Sequence, residues 1–417
     1  MSKMTKPDLR QRNDHSYRFI LQMLGARVPI KKIAPSLLEK TFYEIARLEE
    51  TENSARDMWG NWDWQYTEAQ RTGRMYIPTI DRDIVKLKKN TGKRLHVPPW
   101  PNGKRFALCL THDVDFVSRI SLSAKAARQS FGGLLKSKST PLKKAVKLVR
   151  LGGQFSLQRF LLAGKDDPFW QYEKWLALED RFGFHSTFYF FPSPLLRIHE
   201  WDCSYQLSDT VKYRDKKMTV VEMIREIKKS GWEIGLHGSY YSAFDQDLLS
   251  FQKKAVEDAA GESIISTRQH YLHYDVRITP KLQANAGFKT DSTQGFNRSV
   301  GFRSATSYPY YCWDFEQESA MPVLEIPQHI MDGGLFTENA LEYNIDLAIK
   351  HSIQLMDEVE SVGGCLTLSW HPHNITNEMW WNVYKSLLEE ASRRNAWGCS
   401  AGELYHWWKE REKIIMK

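Results

Sequence analysis

No Cys-x-x-Cys pair occurs in this sequence, and its five cysteines (Cys109, Cys203, Cys312, Cys365 and Cys399) are scattered and odd in number. That argues against a disulfide framework and fits a reducing compartment. No apolar run is long enough to span a bilayer. The run Phe19–Leu24 is too short, and wrongly flanked, for a secretory signal. No zinc-finger spacing or RNA-binding signature accompanies the net charge of +8, so nucleic acid is not an expected partner. The expected location is the cytoplasm, including a peripheral position at the inner membrane face.

What is present points to a folded enzyme-sized chain. Its 417 residues are 42% hydrophobic and 26% charged, enough to bury a large core. Aromatic residues reach 13%, with 15 tryptophans. Such residues stack on sugar rings, although most tryptophans simply fill cores. Basic residues concentrate between Ser118 and Arg159, among them Lys125, Arg128, Lys136, Lys138, Lys143, Lys144, Lys147 and Arg150. This stretch could attract an anionic lipid or a nucleotide sugar, or be a solvated helix face.

Residues 1–96 read as a separate helical region. Tyr17–Leu24 and Leu37–Leu48 carry apolar residues at helical spacing, followed by Trp59, Trp62 and Trp64 and by Ile80–Lys89. Pro98, Pro99, Pro101 and Gly103 then punctuate the chain. Residues 97–417 alternate strand-like and helix-like stretches, interrupted by a basic helical insertion at about 116–165. Strands are expected at Phe106–Asp115, Phe184–Phe191, Trp232–Leu236, Ser263–Thr267, Phe288–Thr290, Pro322–Ile326 and Cys365–Trp370. Helices fall at 168–182, 218–230, 246–259, 279–286, 338–360, 376–393 and 401–413. Residues 196–216 read as an irregular loop. This repetition predicts an α/β fold, a (β/α) barrel or a close relative. A doubly wound sheet is the alternative, but no Gly-rich phosphate loop follows the first strand.

The informative regularity is how the strands end. Asp113 and Asp115, His237, Arg268 and His270, Asp291 and His371 all stand at predicted strand ends. In barrels the carboxyl ends carry the active site. Carboxylates there are costly to bury unless paired or bound to a cation. Mixed histidine and carboxylate ligands suit Zn²⁺ or a similar divalent ion, and a metal, a carboxylate base and a histidine acid together make a hydrolysis set.

The order of these motifs resembles the polysaccharide deacetylase family, the NodB-like carbohydrate esterases. The words are Thr111-His-Asp-Val-Asp115, Gly235-Leu-His237, Arg268-Gln-His-Tyr271, Asp291 and Leu368-Ser-Trp-His371. The shorter words Gly-Phe-Arg-Ser-Ala and Glu-Ile-Pro are similar to a divergent branch found in surface-polysaccharide gene clusters. The match covers about residues 104–400. The resemblance implies a distorted (β/α)₇ barrel and removal of acetyl from an N-acetylated sugar in a polysaccharide, a glycolipid or a sugar precursor. It implies Asp113 as the catalytic base, His371 as the general acid, Asp291 as the group that raises its pKa, and Arg268 as the residue that orients Asp113.

In the family's pattern the metal aspartate immediately follows the base. Val114 stands there, which leaves Asp115 as the nearest substitute. Tyr241 occupies the place of the second metal histidine. Asp115, His237 and His270 are therefore the expected metal ligands, with His112 another source of a nitrogen. Tyr241, Tyr271, Arg303 and Trp370 are expected on the substrate side, with Phe302-Arg303 and Tyr308–Trp313 forming a loop beside the sugar. Two other readings stay open: a catalytically silent carbohydrate-binding relative, and a hydrolase of another C–N bond.

Overall fold

The structure, a computed structural model, describes residues 6–91, 97–137, 140–162, 166–193 and 198–417. The boundary expected at residue 96, the end of the insertion at residue 165 and Lys138 lie outside them. Twelve strands are described: β1 (Ala107–Val114), β2 (Thr187–Phe190), β3 (Thr210–Tyr213), β4 (Lys216–Thr219), β5 (Glu233–Gly238), β6 (Ser266–Gln269), β7 (Thr290–Asp291), β8 (Tyr310–Asp314), β9 (Ser319–Glu325), β10 (Ile330–Met331), β11 (Cys365–Ser369) and β12 (Trp397–Cys399). β1 is buried along its whole length, as a strand covered on both faces must be.

The main sheet runs β10-β11-β1-β2-β5-β6-β7-β9-β8. Every neighbouring pair is parallel except β8 with β9. β9 lies beside β7 at one end of this order, and β10 lies beside β11 at the other. Only Ile326–His329 separates β9 from β10 in the chain. One bent strand therefore leaves β7 and joins β11, closing seven positions into a distorted (β/α)₇ barrel. β12 pairs with the first half of β1, below the point where β2 begins.

Helices precede most of the parallel strands and pack outside them. The Val220–Lys229 helix shows why. Thr219 and Glu222 form a capping box at its start, and Val220, Met223, Ile224 and Ile227 make one buried face. The N-terminal helices share a hydrophobic cluster with β1, β9 and the last helix, joining Phe19, Leu24 and Ile84 to Ala107, Leu324 and Trp408. The basic insertion is a pair of packed helices, Arg119–Lys136 and Pro141–Leu162.

Several sequence expectations shift. Residues 196–216 are not wholly irregular: β3 and β4 form a hairpin that reaches into the expected start of the next helix. The helix expected at 338–360 spans Ile345–Val362, because Asn344 caps it by accepting from the Leu347 backbone N–H. Tyr308–Trp313 is not a substrate loop; most of it is β8, hydrogen-bonded antiparallel to β9.

Candidate active site

The barrel interior is polar at the carboxyl ends of its strands. Residues i and i+2 of an extended chain share a face, so Asp113 and Asp115 point to the same side and both line a cavity of about 310 Å³. His112 and Val114 face the other way. His112 is therefore not near the candidate metal position. Its Nε2 lies 2.7 Å from Glu179, a buried carboxylate that also accepts from Ser186, Trp232 and Tyr384.

Arg268 is held on several sides within the barrel. Its Nη1 donates to Asp113 Oδ1 at 2.9 Å, Thr111 Oγ1 at 2.7 Å and Ser369 Oγ at 2.9 Å. Its Nε and Nη2 donate to the Ser292 carbonyl and hydroxyl. Ser369 in turn donates to Asp113 Oδ2 at 3.2 Å. Burial alone would raise the Asp113 pKa; the Arg268 guanidinium and then His371 outweigh it and hold the carboxyl below its usual range.

Beside it, three side chains converge. Asp115 Oδ1 lies 3.2 Å from His237 Nε2 and 3.5 Å from His270 Nδ1, and the two nitrogens are 2.8 Å apart. The register explains the meeting: β5 and β6 are neighbours, with His237 opposite Arg268, and His270 follows β6 directly. Gly235 makes room, since a Cβ there would stand 2.5 Å from the Tyr189 ring. His270 is aimed by a turn in which Tyr271 and Leu272 have φ of 56° and 52°, a left-handed backbone that residues with side chains rarely adopt. The Tyr271 carbonyl accepts from the side-chain amides of Asn61 and Asn297, both at 2.7 Å.

The far nitrogens of the two histidines are both engaged. His237 Nδ1 lies 3.0 Å from the Arg268 carbonyl, and His270 Nε2 lies 2.9 Å from the Trp201 carbonyl. A carbonyl only accepts, so each far nitrogen carries a proton, which leaves the inner nitrogen of a neutral ring as a lone-pair donor. Two lone pairs and a carboxylate oxygen then face one point. Ligands about 2.05 Å from a tetrahedral zinc lie about 3.3 Å from one another, close to the edges of this triangle. The residues present thus fit a divalent ion, with each histidine oriented from behind by a carbonyl.

Two neighbours were not legible in the sequence. Cys203 Sγ lies 3.7 Å from Asp115 Oδ1 and 4.0 Å from His270 Nε2. Asp115, Cys203 and His270 thus form a second group whose donor atoms fall within 4.8 Å of one another. Burial, and then Asp115, push the Cys203 thiol well up, so it is a donor to Asp115 and not a thiolate. Lys125 Nζ lies 3.3 Å from His270 Nε2 and 4.9 Å from the centre of the Tyr271 ring. Burial opposes the Lys125 charge, but Asp115 outweighs it and keeps the ammonium protonated.

His371, just beyond β11, completes the cluster with Nε2 3.7 Å from Asp115 Oδ2. Its Nδ1 is 2.6 Å from Asp332 Oδ1, and Asp332 Oδ2 accepts from the His371 backbone N–H and from Asn374. Burial opposes a charge on His371, but Asp332, then Asp115 and Asp113, push its pKa up to about 10. The partner expected here was Asp291, and that is corrected. β7 and β11 are separated in the ring by the β9–β10 strand, so Asp291 cannot reach His371. It is buried opposite Glu325, and burial pushes its own pKa up to about 6.

Of the residues expected on the substrate side, Tyr271 lines the cavity. Arg303 does not: it is buried in a two-pronged ion pair with Glu50. Trp370 is buried in the main core, pointing away from the site as the residue between Ser369 and His371 must. Tyr241 is exposed and packs against His199 and Tyr240, outside the cavity. The N-terminal region, which carries no catalytic motif in the sequence, contributes Trp59, which lines the cavity 5.7 Å from the Tyr271 ring.

No family model and no curated protein matches this sequence. Solved structures do. A protein described as a polysaccharide deacetylase from Mycobacterium smegmatis is 19% identical over 75% of this chain and 93% of its own, with a TM-score of 0.47. The Puue allantoinase is 14% identical over 76% and 95%, with a TM-score of 0.46. A probable polysaccharide deacetylase from Pseudomonas aeruginosa PAO1 is 16% identical over 77% and 96%, also at 0.46.

Proposed function

We propose that the chain is a metal-dependent hydrolase that removes acetyl from an N-acetylated sugar. The observation that carries this reading is the triangle of Asp115, His237 and His270, with the inner nitrogen of each histidine turned to one point and the far nitrogen held by a carbonyl. Asp113 and His371 flank that triangle as a carboxylate held ionised and an imidazole held protonated. A divalent ion, most simply Zn²⁺, held by Asp115, His237 and His270 would polarise the acyl carbonyl and lower the pKa of a water.

The remaining steps fall to this chain's own groups. Asp113, fixed by Arg268 and Ser369, takes the proton of the water that attacks the acetyl carbon. A C–O bond forms, the C–N bond breaks, and His371 gives its proton to the departing amine. Asp332 accepts from His371 Nδ1 and so keeps the ring charged, with the proton to be given standing on Nε2 at the site. Trp59 and Tyr271 supply flat apolar surface for a sugar ring. The sequence motifs that resemble sugar deacetylases support an N-acetylated sugar over another amide.

One observation favours a second reading. The Lys125 ammonium already sits beside Asp115 and His270 as a fixed cation, which suits a binding protein without catalysis. Metal content of the purified protein, combined with acetate release from N-acetylhexosamine oligomers, separates the two. About one equivalent of divalent ion and acetate release that disappears in Asp113→Asn support the hydrolase. Absence of metal after loading, with sugar binding retained, supports the other.

A further inference from the structure

The two-helix insertion after β1 has a composition unlike the rest of the chain. Residues 116–165 contain eleven Lys and Arg and no Asp or Glu. The whole chain carries +8, so the other residues sum to −3, and all of the net positive charge lies in this one segment. The Pro141–Leu162 helix is 22 residues long, about 33 Å. Among its described residues none is buried.

Its two faces differ. Leu148, Leu151 and Phe155 are half-buried. On the opposite side Leu142, Val146, Val149, Leu157 and Phe160 are exposed by 75%, 63%, 78%, 58% and 78%. At 100° per residue these five lie within about 80° of one another, a continuous apolar stripe. Lys143, Lys147 and Arg150, all exposed, run along one flank of it. Five large apolar side chains left in water along one line are costly for a surface helix with nothing to cover them.

We propose that this helix lies on an anionic lipid bilayer, with the stripe in the headgroup–acyl boundary and the flanking cations on the lipid phosphates. An apolar face bordered by Lys and Arg, without acidic residues, is the pattern of helices that rest in the membrane interface. No helix among the described residues is long and apolar enough to cross a membrane, so the contact is with the surface. A nucleic-acid backbone would account for the cations and leave the stripe without a role.

The first helix of the pair ties this surface to the site. Leu122, Ala126 and Gln129 form one wall of a second cavity, of about 330 Å³, whose other walls include Asp115 and His371. Resting on the deacetylase reading, the substrate class is then a lipid-linked N-acetylated sugar presented at the bilayer surface.

The test is sedimentation of the full chain with vesicles of phosphatidylcholine containing 30 mol% phosphatidylglycerol, against pure phosphatidylcholine. Binding is expected only to the anionic vesicles and is expected to weaken with salt. Val149→Glu with Phe160→Glu should reduce it tenfold or more, and each of Lys143→Gln, Lys147→Gln and Arg150→Gln about fivefold. Melting temperature and acetate release from a soluble N-acetylated oligosaccharide should stay unchanged, while KM for a lipid-linked substrate in anionic vesicles rises at least tenfold in the stripe variant. Equal binding to both vesicle types, or binding that the stripe variant leaves intact, overturns the docking proposal. So does a dimer in solution that the stripe variant dissolves. An unchanged KM for the lipid-linked substrate overturns the substrate class alone. Vesicle binding that responds as expected in a protein that releases no acetate leaves the docking standing and removes the hydrolase reading.

Discussion

Replacing Asp332 with Asn tests the acid half of the proposed chemistry. Asp332 Oδ1 lies 2.6 Å from His371 Nδ1, and Asp332 is the largest influence raising that histidine's pKa to about 10 against the effect of burial. Without its charge the pKa falls toward the ordinary value of about 6.5 or below. At pH 8 the protonated fraction then drops from nearly all to about 3%, a rate loss of roughly thirtyfold, or about 2 kcal/mol of barrier. At pH 5.5 about nine-tenths of His371 stays protonated in the variant, and this loss shrinks to less than about twofold. Asn also disturbs the two hydrogen bonds that Asp332 Oδ2 accepts, but that cost is the same at every pH. The ratio of rates at the two pH values therefore isolates the charge. A divalent ion on Asp115 lowers the alkaline limb in both proteins and leaves the difference between them. The assay is kcat/KM for acetate release from pH 5 to 9. A loss that is equal at pH 5.5 and pH 8, or an alkaline limb that does not move, refutes His371 as the proton donor held by Asp332.

Other outcomes follow from the same structure. Asp113→Asn should remove acetate release while zinc content stays at the wild-type level, because Asp113 is not among the three converging ligands; metal analysis of the variant checks it. Zinc added to dialysed protein at a hundredfold excess over its Kd should stabilise the fold by about 2.7 kcal/mol, read as a rise in melting temperature that His237→Ala removes. Glu179→Ala leaves four buried partners unsatisfied, none of them lining the cavity, and should lower unfolding stability by about 3–5 kcal/mol in urea titrations. Arg303→Leu should cost less, about 1–3 kcal/mol, because Glu50 loses two charged donors but keeps the Arg47 guanidinium at 2.9 Å, and should leave KM unchanged in the folded fraction. A KM that rises selectively would return Arg303 to the substrate.

Most of the strand ends could be read from the sequence, because an apolar run that stops at Asp, His or Arg is a local signal. Asp113, Asp115, His237, Arg268, His270 and His371 all carry it, and the structure brings them to one end of one barrel. Asp332 was harder to read. It follows a strand of two residues, Ile330–Met331, that begins three residues after Pro327, too short to show a period of its own. The sequence puts Asp332 after the strand Pro322–Ile326, but nothing local marks it as the partner of His371, and the family resemblance gave that role to Asp291. Arg303 was misread for a different reason. Its partner Glu50 lies 253 positions away in a region that looked independent, and pairing at that separation leaves no mark on either local stretch. Cys203 and Lys125 reach the cluster from a loop and from the insertion, where neither alternation nor helical spacing distinguishes them from their neighbours.

The strand that bends from β9 into β10 acts as a ruler. Glu325 at one end of it faces Asp291, and Asp332 at the other grips the imidazole of His371, with six residues fixed between them. One residue added to Ile326–His329 would swing the second carboxyl to the outer wall while leaving the first where it is. The span of that crossing segment, more than the identity of its side chains, sets whether the proton donor is armed.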